Sequence, residues 1–150
     1  MTQDGGRAEL DGLEGMHARE LLGKEMYELV KSKMDGKVVL IDFWGTWSHT
    51  CLHVRSRLAE LLVDYRPQGF ELISIHSRRG LPALDKFLID EYLKKRPQWT
   101  NLRDETGQLA NSFNVRYYPH LYLFDRRGVL RVAQPHRVKM KNVVTDLLED

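Results

Sequence analysis

The chain contains a single cysteine, Cys51, among its 150 residues. An internal disulfide is therefore excluded, and with it the class of small scaffolds that are held together by disulfides. A lone cysteine is most often a small buried hydrophobic residue, so only its position along the chain can indicate chemistry. The chain also lacks an excess of one charge, since its net charge is +2 at pH 7. We therefore expect neither nucleic acid nor a membrane surface among its partners.

Long apolar runs are missing as well. No stretch is long enough to cross a bilayer, so no membrane span is predicted. Residues 1–20 are polar and lack the apolar core of a signal peptide. Two locations stay open: the cytoplasm if Met1 is the native start, and an extracytoplasmic, periplasmic compartment if a signal or anchor was trimmed from the chain.

What the sequence does contain fits one globular domain. A chain of 150 residues with 42% hydrophobic residues can bury a real core. Residues 1–18 are rich in glycine and charge, and we predict a flexible N-terminal segment there. Residues 19–150 form the single predicted domain. It opens with an amphipathic helix over Arg19 to Met34, which Asp35-Gly36 ends.

Strands and helices alternate along the rest of the chain. The run Val38 to Ile41 is apolar without a break, which is typical of a central strand buried on both faces. Alternation favours parallel pairing through helical crossovers, and a turn at Arg126 to Gly128 adds an antiparallel strand. The predicted class is α/β, with a central mixed β-sheet flanked by helices on both faces. The other predicted strands are Phe70 to Ile75, Leu121 to Phe124 and Val129 to Ala133, and the other predicted helices are Val54 to Tyr65, Leu84 to Tyr92, Gln108 to Phe113 and Met140 to Leu148.

The segment Asp42 to Cys51 follows the first strand and reads DFWGTWSHTC. Its last four residues lie at a strand-to-helix turn, where free backbone N–H groups and the helix dipole stabilise an anion. A cysteine at the first of these four positions would have a depressed pKa and react as a thiolate. Ser48 stands there instead, and its hydroxyl stays protonated without a dedicated base. We predict that Ser48 is the N-cap of the following helix.

The chain resembles the thioredoxin superfamily at several positions. The matching residues are Asp42-Phe43-Trp44, Trp47, the loop Val115 to Pro119 and the hairpin glycine Gly128. The stretch Pro82 to Arg103 and the following Asp104 to Ala110 look like the TlpA-like branch, which includes the thioredoxin domains of DipZ-type proteins. The resemblance covers residue 37 to the C-terminus. It implies a thioredoxin-like fold in which Ser48 replaces the first active-site cysteine.

The resemblance implies a redox-active centre with three catalytic residues. Ser48 stands where the family has its attacking cysteine, and Cys51 corresponds to the resolving thiol. Asp42 matches a buried carboxylate that exchanges a proton with that thiol. Burial raises the pKa of a carboxyl group, which suits a proton acceptor near neutral pH.

The resemblance also implies a groove for protein thiols or disulfides, or for an extended peptide segment. Trp47 would lie beside this groove and Trp44 beneath the site, and we expect His49 to approach the loop that contains Pro119. Tyr118 would pair its backbone with the bound segment, as an added strand does. Pro119 corresponds to the family's cis-proline.

Histidines raise the question of a metal. His49 and His53 are four residues apart on a predicted helix, and His76 and His120 stand at strand ends. Zinc sites need three or four ligands in fixed geometry, and only one thiol is present. We predict no metal and no cofactor, and we interpret His49 as a cation that tunes a neighbouring thiolate.

A basic pair, Arg78 and Arg79, follows the second predicted strand. The carboxyl ends of parallel strands meet at one edge of a sheet, so this pair is expected on the edge where Ser48 lies. Two interpretations stay open: the pair favours acidic partner peptides, or it belongs to a solvated basic loop.

Three functions remain open. The first is a thiol–disulfide oxidoreductase, a protein disulfide reductase in its parent form, whose dithiol exchange is impaired because Ser48 is a natural or an engineered replacement of cysteine. The second is a single-thiol peroxidase that resembles peroxiredoxins and uses Cys51, with Arg55 on the same helix. The third is a redox-inactive thioredoxin-fold module that binds protein. The sequence does not predict the oligomeric state.

Overall fold

A computed structural model describes residues 12–45, 47–77, 98–134 and 139–150. The helix predicted over Leu84 to Tyr92 and the basic pair Arg78 and Arg79 lie outside these residues. Within them, no helix is both long and apolar enough to cross a membrane. The helices are α1 (Ala18–Leu22), α2 (Lys24–Met34), α3 (His49–Tyr65), α4 (Gln108–Ser112) and α5 (Met140–Glu149), and the strands are β1 (Val38–Trp44), β2 (Phe70–His76), β3 (Thr100–Arg103), β4 (His120–Phe124) and β5 (Leu130–Ala133).

The strands form one mixed sheet in the order β3-β2-β1-β4-β5. Strand β1 is parallel to β2, and β2 is parallel to β3. Strands β4 and β5 add antiparallel pairs. Every residue of β1 is buried, as its unbroken apolar sequence predicts for a central strand. The register places Asp42 between Ser74 of β2 and Leu121 of β4.

Each face of the sheet carries its own core, because successive strand residues point to opposite sides. Val38 and Leu40 of β1 pack in one cluster with α3 and α5. Val39, Ile41 and Phe43 pack in the other with α1, α2 and α4. The predicted mixed sheet with helices on both faces is therefore confirmed. By the same alternation, Asp42 faces α3.

The single helix predicted over Arg19 to Met34 is two helices, α1 and α2. Gly23 separates them with φ +85° and ψ 154°, a conformation that glycine adopts without strain and other residues rarely do. The apolar spacing continues across the break, which is why periodicity alone does not reveal it. The His17 side chain accepts a hydrogen bond from the Arg19 N–H, and Glu20 accepts one from the His17 N–H, so a capping box begins α1.

Part of the segment predicted to be flexible is held against the sheet. Gly15 N–H donates to the carbonyl of Leu130 at 2.8 Å, and Leu130 N–H donates to the carbonyl of Met16 at 2.9 Å. His17 forms an isolated antiparallel bridge with Val129. The prediction is therefore wrong for residues 12–18, while residues 1–11 lie outside the described ranges.

Strand β3 was not predicted from the sequence. It has four residues, all partly exposed, and within the described residues it pairs only with β2. An edge strand of this kind has neither an apolar run nor a clear alternation. Arg103 is its last residue. The Asp104 carboxylate then accepts from the N–H groups of Leu109 and Ala110 and so holds the start of α4.

The Arg126 guanidinium joins three segments at the end of the sheet that lies away from Ser48. These are the residues before β1, the residues before β2 and the last turn of α5. It donates to the carbonyls of Gly36 at 3.0 Å, Gln68 at 3.1 Å and Leu148 at 2.8 Å. Each hydrogen bond to a charged group stabilises a fold by roughly 1.5–3 kcal/mol when buried and by less when exposed. These contacts are only partly buried.

We therefore expect Arg126→Met to lower the free energy of unfolding by about 1–3 kcal/mol. Urea denaturation followed by circular dichroism measures this value. Arg127→Met is the matched control, because the Arg127 side chain is 82% exposed and should matter little. Equal losses in the two variants would contradict the role given to Arg126.

Candidate active site

The site begins at the junction of β1 and α3. Ser48 is the N-cap of α3, with extended backbone angles of φ −106° and ψ 116°. Its Oγ accepts a hydrogen bond from the Cys51 N–H at 3.2 Å. The predicted N-cap is confirmed. The Ser48 oxygen thus occupies the helix terminus at which a thiolate would be stabilised.

Cys51 lies in the first turn of α3 and is fully buried. Burial raises the pKa of its thiol above the ordinary value. Hydrogen bonds from the Ser48 side chain and the Gly45 backbone act in the opposite direction but do not outweigh burial. Cys51 is therefore a protonated thiol at neutral pH, which is not the state of an attacking nucleophile.

Asp42 is the fully buried carboxylate beneath this helix turn. Burial raises its pKa to about 6, while the charge of Arg55 and hydrogen bonds from Ser74 and Arg55 lower it. Its Oδ2 accepts from Ser74 Oγ at 3.0 Å and from Arg55 Nη1 at 3.3 Å. Its Oδ1 is buried without a hydrogen-bond partner. The negative charge of Asp42 raises the pKa of the Cys51 thiol, so the two groups interact electrostatically.

Arg55, which the sequence placed on the same helix as Cys51, pairs with Asp42, and this pairing was not predicted. It is fully buried and forms an ion pair with Asp42. Its guanidinium lies 3.7 Å from the ring centre of Trp44 and 4.9 Å from that of Trp99. The spacing of four residues from Cys51 is the sequence signal that could have indicated it, because residues i and i+4 share a helix face.

Polar groups near β3 complete the network around Arg55. Nη2 of Arg55 donates to Asn101 Oδ1 at 3.2 Å. The indole N–H of Trp99 donates to Ser74 Oγ at 2.9 Å. Because Ser74 in turn donates to Asp42, two consecutive hydrogen bonds connect Trp99 to Asp42.

The two motif tryptophans lie at different depths. Trp44 is fully buried, whereas Trp47 is 40% exposed. The Trp47 ring contacts the Tyr118 ring at a centroid distance of 5.6 Å and the His76 ring at 6.0 Å. A Cβ atom at Gly45 would overlap the Trp47 ring, so only glycine permits this placement.

The loop before β4 lies next to Trp47. The peptide bond between Tyr118 and Pro119 is cis. Tyr118 and Pro119 are both partly exposed, and the Tyr118 ring contact with Trp47 joins this loop to the motif. The structure thus brings Ser48, Cys51 and Asp42 together at the start of α3. The side chain of His49 lies outside what the structure describes.

His120 lies on the other face of the sheet. Its ring stacks on Tyr117 and on Tyr122, each at a centroid distance of 4.9 Å. Both ring nitrogens are buried without a hydrogen-bond partner. Burial therefore lowers the pKa of His120 to about 4. Within the described ranges, no three His, Cys, Asp or Glu side chains are grouped as metal ligands would be.

Asp42 and His120 affect the pH dependence of stability in opposite directions. The pKa of Asp42 is raised from 3.8 to about 6, so the folded chain keeps a proton that the unfolded chain loses, and stability falls as the pH rises through this window. The pKa of His120 is lowered from 6.5 to about 4, so stability rises with pH through nearly the same window. Each contribution is about 3 kcal/mol, and the two largely cancel.

Single substitutions should expose the two opposing slopes. In Asp42→Asn, we expect the free energy of unfolding to rise between pH 4 and 6.5, because only the His120 contribution remains. In His120→Phe, we expect it to fall between pH 4 and 6, because only the Asp42 contribution remains. Urea denaturation at four pH values in this range measures the slopes. Parallel curves for the two variants would show that these groups do not govern the pH dependence.

Comparisons with known proteins agree with this geometry. The chain is 28% identical to the thiol-disulfide oxidoreductase ResA of Geobacillus kaustophilus over 96 residues, which are 64% of this chain and 53% of that protein. It is 27% identical to the thiol:disulfide interchange protein DsbE of Pseudomonas aeruginosa over 103 residues, which are 69% of this chain and 53% of that protein. The chain thus matches about half the length of these relatives.

Solved structures share the fold. The thioredoxin domain of a thiol-disulfide oxidoreductase from Bacteroides vulgatus aligns with a TM-score of 0.66 at 21% identity, covering 78% of this chain and 83% of that one. A thiol-disulfide oxidoreductase from Bacteroides fragilis aligns with a TM-score of 0.66 at 16% identity, covering 77% and 84%. A sequence model described as thioredoxin-like matches residues 36–130, more than half of the chain. The chain therefore belongs to the thioredoxin-like family.

Proposed function

We propose that this chain is a thiol–disulfide exchange domain in which an oxygen replaces the attacking sulfur, so that it binds a partner's thiol or disulfide segment without turning it over. One observation carries the proposal: Ser48 and Cys51 share the first turn of α3 above the buried Asp42 carboxylate. The names of the relatives, ResA and DsbE, support the same class of reaction.

Exposed aromatic side chains support the binding part of the proposal. Trp47 and Tyr118 place exposed aromatic surface beside the start of α3. The resemblance implies that an extended protein segment pairs with the backbone of Tyr118, next to Pro119, as an added strand. The occupant we propose is therefore an extended segment that carries a cysteine or a disulfide.

A sulfur at position 48 would complete the exchange reaction. Its thiolate attacks one sulfur of a partner disulfide, which forms a mixed disulfide and releases the partner's other sulfur as a thiolate. Cys51 then gives its proton to Asp42 and attacks the sulfur at position 48. This step closes a disulfide within the domain and releases the second partner sulfur. Two electrons pass from the domain to the partner, which is reduced.

The hydroxyl of Ser48 stops this sequence at its first step. A serine hydroxyl is protonated at neutral pH and forms no stable bond with a disulfide sulfur. The buried Cys51 thiol does not replace it, since burial raises its pKa and removes it from contact with a partner. The chain is therefore proposed to bind without turnover.

Ser48→Cys should restore reductase activity. We expect the new thiol to have a pKa of about 7, as in Cys-x-x-Cys sites, and so to be about half thiolate at pH 7. The measurement is reduction of insulin disulfides with dithiothreitol as the electron donor. Ser48→Ala, which also loses the N-cap bond but gains no thiol, should stay at background.

A double variant separates capture from turnover. Ser48→Cys with Cys51→Ala should form a mixed disulfide with the partner and accumulate it, because no resolving thiol is left. Gel electrophoresis without reductant detects this adduct. If folded Ser48→Cys carries a reactive thiol and still shows no reductase activity, the exchange proposal fails and the redox-inactive binding module is the better account.

The reactivity of Cys51 toward alkylating agents and peroxide tests the peroxidase alternative. We expect Cys51 in the native chain to be alkylated at least about tenfold more slowly than in urea, since reaction needs an exposed thiolate. Hydrogen peroxide should leave it as a thiol, with mass spectrometry as the measurement and Cys51→Ala as the control. Rapid formation of a sulfenic acid at Cys51 would favour the peroxidase.

A further inference from the structure

The Asp42 carboxylate is bound through only one of its two oxygens. Oδ2 accepts hydrogen bonds from Arg55 at 3.3 Å and from Ser74 at 3.0 Å. Oδ1 is buried and has no hydrogen-bond partner. A carboxylate held in this way has one oxygen that fixes its orientation and another that is open to a proton.

The Arg55 guanidinium is itself held by aromatic and polar contacts. Trp44 and Trp99 contact it at ring-centre distances of 3.7 Å and 4.9 Å. Asn101 accepts from its Nη2 at 3.2 Å. A planar guanidinium stacked on aromatic rings loses little further freedom when it binds a carboxylate, which a lysine ammonium cannot match.

The position of Arg55 on α3 links this clamp to Cys51. The two residues are four positions apart and share the helix face that packs on β1. Charge from both Asp42 and Arg55 acts on the Cys51 thiol. Two residues beyond Ser74 on the same face of β2 lies His76, whose register partner on β1 is Trp44 and not Asp42. The neighbouring positions on β4 and α5 are apolar, with Leu121 and Met140 in the same core.

We propose that Arg55 is a positioning residue of this site, which holds Oδ2 of Asp42 so that Oδ1 is the atom that takes the Cys51 proton. The inference rests on the proposed function, because a proton acceptor for Cys51 matters only if exchange occurs. Any arginine at this distance lowers the pKa of Asp42 through its charge, so the readout that separates a positioning residue from a structural ion pair is the pH–rate profile of Ser48→Cys.

The first test follows the Asp42 carboxyl carbon by NMR as a function of pH in the chain with Ser48. An opposite charge within about 4–6 Å lowers the pKa of a carboxyl by about 1–3, so Arg55→Gln should raise the pKa of Asp42 by that amount. Arg55→Lys keeps the charge and should therefore leave the pKa of Asp42 close to its value in the chain with Arg55. Arg57→Gln, an exposed arginine on the same helix, is the matched control and should leave the pKa unchanged.

Further variants keep the outcome clear. If Arg55→Gln does not fold, Ser74→Ala removes the other bond to Oδ2 without changing any charge and should raise the pKa of Asp42 by a smaller amount. The pH–rate profile of Ser48→Cys should move with the same substitutions. An Asp42 pKa that stays the same in each folded variant would overturn the proposal, and so would a pH–rate profile of active Ser48→Cys that does not move with these substitutions. A different outcome would count against the proposed function alone. In that case the pKa of Asp42 depends on Arg55, but Ser48→Cys shows no reductase activity.

Discussion

The ion pair between Asp42 and Arg55 is the interaction on which the site depends. A carboxylate in the middle of a central strand has no contact with solvent, and burying it without a partner would be very unfavourable. Arg55 supplies the compensating charge from α3 at 3.3 Å. The pair therefore fixes where α3 lies on the sheet. The rings of Trp44, at the end of β1, and Trp99, just before β3, lie against the Arg55 guanidinium.

Placement of α3 in turn decides what the chemistry can be. With Arg55 over Asp42, Cys51 lies one turn earlier on the same face and is buried, and Ser48 lies at the helix terminus. The same geometry would suit a sulfur at position 48, because backbone N–H groups there stabilise an anion. The lack of turnover proposed for this chain thus follows from one atom and not from the surrounding structure.

Local patterns predicted much of this arrangement. The unbroken apolar run Val38 to Ile41 indicated a central strand, and the strand-to-helix position of Ser48 indicated its N-cap. Contacts between distant segments were not predictable in the same way. Arg55 pairs with a residue on another element, β3 is an edge strand without an apolar pattern, and Gly23 interrupts a helix whose apolar spacing continues.

Burying Asp42 lowers the stability of the fold, and this cost supports a functional reason for its position. A carboxyl whose pKa is raised to about 6 opposes folding at neutral pH by about 3 kcal/mol relative to an exposed one. Apolar side chains at both positions of a buried ion pair are often as stable or more stable. Stability alone therefore gives no reason for Asp42, Arg55 and Ser74 to converge beneath a thiol. Proton exchange with Cys51 does give a reason, because Asp42 has one carboxylate oxygen without a hydrogen-bond partner. The pKa of Asp42 in the Arg55 variants, together with the pH–rate profile of Ser48→Cys, tests this role.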